Sequence, residues 1–258
     1  MNQFNIEDDK ISFSSLLIPV WSRQHGAYIS LITSWLVGTL LSESMSRTHA
    51  AVVIFLLAGL NLGELVQEYL KKQFAVALRK KVWIIVYGFL AAVSGFNLLK
   101  EAITFSFVFP VLVAVSFVYM YLSLKREHKH VLSELLAFAS IALAGLIAFN
   151  PDQAPGLEFL KLWVLLFCYF GTSVFLVKAR FDKVSFKEAL SYLVFCLLLT
   201  VSLMDISIAL ISVLLLIIAK LLFVVLAIDW YKRLPIATIG FMEFGYCFVL
   251  VTVLLIAY

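Results

Sequence analysis

The sequence predicts an all-α polytopic membrane protein: nine transmembrane helices in a single domain over residues 1–258. Three observations carry that expectation. Of the 258 residues 63% are apolar and 14% charged, with a mean hydropathy of +1.04, whereas a soluble domain carries about 45–50% apolar and about 25% charged residues. The apolar residues run in stretches of about 20, enough for a helix to cross the hydrocarbon core, and lack the alternation of a barrel strand. Lysine and arginine collect on alternate connections between those stretches, as the positive-inside rule requires.

The stretches cover residues 26–42, 50–70, 82–99, 103–124, 132–149, 158–179, 188–204, 206–228 and 236–257. Tight turns join the third to the fourth and the seventh to the eighth. Residues 1–25 form a cytoplasmic or interfacial N-terminal segment. Within it 10–21, KISFSSLLIPVW, has the make-up of an amphipathic lead-in along the membrane surface. Glu7, Asp8 and Asp9 precede Lys10 without a basic head or cleavage site, so a removable signal is not expected. Sixteen Lys and Arg fall on one set of connections, against Arg47, Lys100 and Lys161 on the other, with Lys220 inside the eighth stretch. One crossing more or fewer would scramble that alternation. The N-terminus is therefore expected in the cytoplasm and Tyr258 outside, in the plasma membrane of a prokaryotic cell.

The formal charge of +4 is spread over short clusters rather than one continuous face, which argues against a nucleic-acid partner and leaves membrane lipids. Cys168, Cys196 and Cys247 lie in apolar stretches with no CxxC spacing and read as apolar fillers.

Ionisable groups inside a span cost about 2.5–3.5 kcal/mol each on insertion scales, so their depth carries information. Asn61, Glu64 and Glu68 are three and four residues apart and fall within about 60° on one helical face, a stripe about 10 Å long in the cytoplasmic third. Glu134 opens the fifth stretch, Lys178 and Asp182 close the sixth, Lys220 and Asp229 close the eighth, and Glu243 sits about 10 Å into the ninth. His25 and Gly26 precede the first at the same end. The expectation is a polar pocket open to the cytoplasm and closed below by apolar packing. Plainer roles stand beside it. Glu68 with Lys71 and Lys72 can form a solvated helix end, Lys178 and Asp182 an interfacial ion pair, and Lys220 and Glu243 a mutually neutralised pair. His25 suits an interfacial anchor as well as a base, and Arg180, about 200° around the helix from Lys178, suits snorkelling to headgroups.

Residues 23–28, RQHGAY, resemble the opening signature of the YwiC-like membrane family, with Ser22 in place of its proline and Gln24 in place of its glutamate. Residues 175–180, FLVKAR, and 240–243, GFME, are similar to that family's sixth-helix end and last-helix motif. The arrangement also resembles the UbiA-type intramembrane prenyltransferases, nine-helix bundles with acidic motifs at the cytoplasmic ends of helices two and six. That resemblance implies Glu64, Glu68 and Asp182 as ligands of Mg2+, with an isoprenoid or lipid diphosphate as substrate. Asn61, Lys178, Lys220 and Glu243 would contact that substrate, and His25, Glu134 and Lys178 would take catalytic parts. Lys178 stands where the second motif's first aspartate is expected. The competing functions are a proton-coupled or small-molecule transporter using Glu64, Lys220 and Glu243, and a non-enzymatic assembly protein.

Overall fold

In lipid every backbone amide must find its partner within the segment, which leaves long apolar runs only the helix. The computed structural model describes residues 16–22, 25–72, 76–125, 131–181, 185–203 and 208–257. Among these no strand occurs, and the helices are α1 (His25–Leu40), α2 (Arg47–Lys71), α3 (Leu78–Glu101), α4 (Ile103–Leu124), α5 (Val131–Gly145), α6 (Leu157–Arg180), α7 (Phe186–Leu203), α8 (Ile208–Leu226), α9 (Ile228–Arg233) and α10 (Ile236–Ala257). A 3-10 turn, Leu146–Ala148, extends α5. Six helices, α2 to α6 and α10, are long and apolar enough to cross a membrane, while Gly26–Leu40 and Leu210–Phe223 are apolar but shorter.

Each apolar stretch falls on a helix among the described residues, with ends shifted by a few positions. The eighth differs most, because α8 stops at Leu226 and a separate short helix, α9, carries Asp229. The tight turn between the third and fourth stretches is Ala102. Its amide donates to the Leu98 carbonyl at 2.8 Å, and the Thr104 amide and hydroxyl reach the carbonyls of Pro151 and Asn150 at 3.1 and 2.7 Å.

The bundle is organised around α6, the most buried of the long helices, on which α5, α7 and α8 pack. On the other flank α1 lies between α2, α5 and α10. Two glycines set the closest approaches. A Cβ on Gly145 would come within 2.2 Å of the Ser34 side chain and 2.8 Å of its backbone, and one on Gly171 within 1.8 Å of the Tyr192 hydroxyl. Small residues at crossing points let membrane helices approach this closely. Cys168, Cys196 and Cys247 are free and buried in the core.

Candidate functional site

Residues 16–22 run across one end of α2 and α3 and are held there by a single face of α3. Arg79, Trp83 and Tyr87, four residues apart, donate to main-chain carbonyls of this strap. Arg79 reaches Ile18 and Pro19 at 2.8 and 3.0 Å, Trp83 reaches Leu16 at 3.0 Å, and Tyr87 reaches Val20 at 3.1 Å. The sequence suggested a lead-in over residues 10–21; its first part, to residue 15, lies outside the described residues.

The strap delivers Ser22 to the polar stripe of α2. The Asn61 carbonyl oxygen accepts from the Ser22 amide at 2.8 Å and from the Tyr28 hydroxyl at 2.5 Å, while its amide group donates to the Leu57 carbonyl at 2.7 Å. The Ser22 hydroxyl donates to Glu64. Asn61 is 1% exposed, so nearly all of its hydrogen-bonding capacity is met from within the protein. A polar cavity of about 370 Å3 opens beside this cluster, lined by Ser22, Asn61, Glu64, Glu68, Arg79 and Lys80 together with the strap. Glu68 is claimed by two cations, Lys80 at 2.5 Å and Lys72 at 2.8 Å.

Glu64 also lies on a second cavity, an apolar groove of about 400 Å3 between α2, α4 and α5. Gly59 and Gly63, one turn apart, form part of its floor, and a Cβ on either meets nothing within 4 Å. Phe55, Phe109, Phe117 and Ile141 wall it, while Gln67, Ser116 and Tyr119 join Glu64 as its polar liners on α2 and α4. Tyr119 is within electrostatic reach of both Glu64 and Glu134. Glu134 in turn pairs with Lys178 at 3.0 Å. Lys178 thus closes α6 against α5, and its expected neighbour Asp182 lies outside the described residues.

Lys220 and Glu243 form a separate centre on the far side of α6. Their side chains meet at 2.6 Å, Lys220 is also 2.7 Å from the Ser173 hydroxyl, and Ser173 donates to Glu243 at 2.8 Å. The ammonium group stands 4.9 Å from the Tyr169 ring and 5.3 Å from that of Tyr246. Neither Lys220 nor Glu243 lines the two cavities described above. The single hollow expected from the sequence is thus divided, because each buried charge is satisfied by a near neighbour instead of by convergence. Arg180 is half-buried, with its Nη1 buried and without a hydrogen bond. Near it, burial pushes the Tyr231 phenol up from its ordinary pKa, with Glu243 adding to the rise.

Of the residues named from sequence, Asn61 and Glu64 belong to the polar cluster, Glu64 also lines the groove, Glu68 lines the polar cavity, and Glu134 and Lys178 pair with each other. His25 starts α1, and its side chain is not among those described. Glu68 is paired with two lysines, and among the described residues no three His, Cys, Asp or Glu side chains converge; Asp182, the third magnesium ligand the resemblance implies, lies outside them. Sequence reasoning missed Tyr28, Arg79, Trp83 and Tyr87. The four-residue spacing of the last three was visible, but their partners are backbone carbonyls, which leave no side-chain signature.

Fold and site together define a polytopic α-helical membrane protein with a polar cluster set against an apolar groove. A family model described as YwiC-like protein matches residues 21–149, and the chain belongs to that family. The matched part holds Ser22, Tyr28, Asn61, Glu64 and Glu134; the likenesses at 175–180 and 240–243 lie beyond it. No curated protein and no solved structure matches the chain.

Proposed function

We propose that this YwiC-like protein crosses the membrane nine times and binds a polar-headed isoprenoid or lipid, holding the head near Glu64 and the hydrocarbon chain in the groove between α2, α4 and α5. The observation that carries this reading is the position of Glu64 on the shared wall of a polar cavity and an apolar groove. Ligand pockets are mostly apolar with a few placed polar groups, and an amphiphile needs both parts side by side. In its finer form the proposal is transfer of a prenyl or lipid group from a diphosphate presented at the cytoplasmic mouth, in a UbiA-like bundle. Arg79 and Lys80 line the polar cavity, and with Lys178 they are proposed to meet phosphate oxygens, Lys as a point charge and Arg as a fork. Glu134 would hold Lys178 in place. No step is assigned to a metal.

The test uses the full chain in nanodiscs and measures binding of farnesol and farnesyl diphosphate, with and without magnesium. Saturable binding is expected to weaken at least tenfold, about 1.4 kcal/mol, in Gly63→Leu, which fills the groove from a position where added atoms meet open space. Retained affinity in that variant, or no binding of either compound by wild type, overturns the reading. Release of diphosphate separates a transferase from a binding protein.

A further inference from the structure

The head of an amphiphile lying in the groove is selected by the groups it meets there. The liners run along α2 from Phe55 to Gln67 and along α4 from Phe109 to Met120. Their polar members gather toward one end: Glu64 and Gln67 stand about 14 and 18 Å along α2 from Phe55, and Ser116 and Tyr119 about 11 and 15 Å along α4 from Phe109. Tyr119 is within electrostatic reach of Glu64, so the two polar ends coincide. Ser140, on α5, gives its hydroxyl to the Leu136 carbonyl at 2.7 Å. Among the described liners of the groove Glu64 is the one carboxylate, and none is Lys or Arg. Arg79 and Lys80 line the polar cavity instead. On the groove wall Phe117 is 65% exposed, which opens the groove sideways to lipid. A carboxylate only accepts hydrogen bonds and has about four lone-pair sites, of which the Ser22 hydroxyl uses one.

Resting on the amphiphile reading, we infer that Glu64 makes the groove a site for a long-chain primary amine drawn from the bilayer, and that chains ending in an anion are rejected there. An ammonium group brings three N–H donors and no acceptor, the complement of a carboxylate. Its hydrogen bonds to an ionised acceptor are roughly twice as strong as neutral ones. An alcohol on the same chain supplies one donor and no charge, so it binds through its chain with less from its head. A carboxylate or phosphate head meets Glu64 as a like charge, with no cation on the groove wall to offset the repulsion. Phe55, Phe109, Phe117 and Tyr119 line the same groove, and aromatic faces attract a desolvated cation. A diphosphate finds Arg79 and Lys80 on the other side of Glu64, in the polar cavity. The amine is therefore a second class of ligand, held against the wall that the two cavities share.

The experiment is displacement of radiolabelled farnesol from the full chain in phosphatidylcholine nanodiscs, at neutral pH, by farnesylamine and by farnesoic acid, with empty nanodiscs as the blank for partition into lipid. Farnesylamine is expected to displace the label at a concentration about tenfold lower than unlabelled farnesol does. Farnesoic acid is expected to need one about tenfold higher. In Glu64→Gln, which keeps the size and loses the charge, the three compounds are expected to displace about equally. Ser116→Lys puts a cation on the groove wall and is expected to reverse the order in favour of the acid, which decides the matter should Glu64→Gln fail to fold. Farnesol binding that Gly63→Leu weakens, together with equal displacement by amine and acid or with an order unmoved by either charge variant, overturns the amine assignment and leaves the amphiphile site standing. Absence of saturable farnesol binding to wild type removes both.

Discussion

Lys220 and Glu243 neutralise each other inside the bundle, and removing one leaves the other charged in a place that water does not reach freely. Lys220→Met is expected to destabilise the protein by about 3–5 kcal/mol, and adding Glu243→Leu to recover most of that loss, because breaking a buried pair costs more than replacing it with apolar groups. Denaturant titration in micelles, followed by helicity, reads both; a double variant as unstable as the two singles summed would show that the pair is uncoupled. Asn61 poses the same question for neutral groups. Tyr28→Phe removes one donor from an oxygen that keeps the Ser22 amide, and a loss of about 0.5–1.5 kcal/mol is expected. Asn61→Leu strips the acceptor from both donors at once. It is expected to cost more than Tyr28→Phe, by about 1 kcal/mol or more, in the same titration.

At the scale of elements, Gly145 decides how closely α1 can lie on α5. Gly145→Ala puts a methyl group into the backbone of Ser34 and Trp35 at 2.8 Å, so the helices must separate or shift; a destabilisation of about 1–3 kcal/mol is expected, read by thermal unfolding in detergent. Gly59→Ala adds the same methyl group to open space on α2 and is expected to leave the midpoint unchanged. Nothing in the sequence distinguishes these two glycines, since both sit in apolar runs and differ only in what the tertiary fold brings opposite them. The helices themselves were legible, because lipid allows a long apolar run only one backbone structure. The stretch 103–124 coincides with α4, and the stripe of Asn61, Glu64 and Glu68 lies on α2 as its spacing implied. The partners of that stripe were not legible. Depth along a helix follows from counting residues, but which of several charges at one depth will meet depends on the arrangement of helices around α6. Hence the ion pair of Lys178 with Glu134 was not foreseen, and one expected pocket became two centres on opposite sides of a helix.

For the whole molecule the open quantity is the number of crossings, and helix length makes it a physical question. The 16 residues of α1 span about 24 Å, the 18 of α7 about 27 Å and the 19 of α8 about 28 Å, against a hydrocarbon core of about 30 Å. A short span crosses by thinning the bilayer locally or by letting flanking residues extend it, at a modest cost per ångström. The strap of residues 16–22, whose carbonyls are occupied by α3, supplies such an extension for α1. Nine crossings put the connection at 41–46 opposite the strap, and the connection at 204–207 opposite both 185 and 232. If α1 lay along the surface the first pair would share a side; if α7 and α8 failed to cross, so would the second group. The three cysteines are buried, at 0% to 4% exposure, so a background with each changed to Ala gives clean single-cysteine labelling with a membrane-impermeant maleimide in intact cells. Ser44→Cys and Asp205→Cys are expected to label from outside, and Trp21→Cys, Ser185→Cys and Lys232→Cys only after the membrane is opened. Labelling of Trp21→Cys and Ser44→Cys from one side would reduce the count by one and move Lys10 and Arg23 to the sparser set, leaving fourteen basic residues against five, an asymmetry that still orients the rest of the chain.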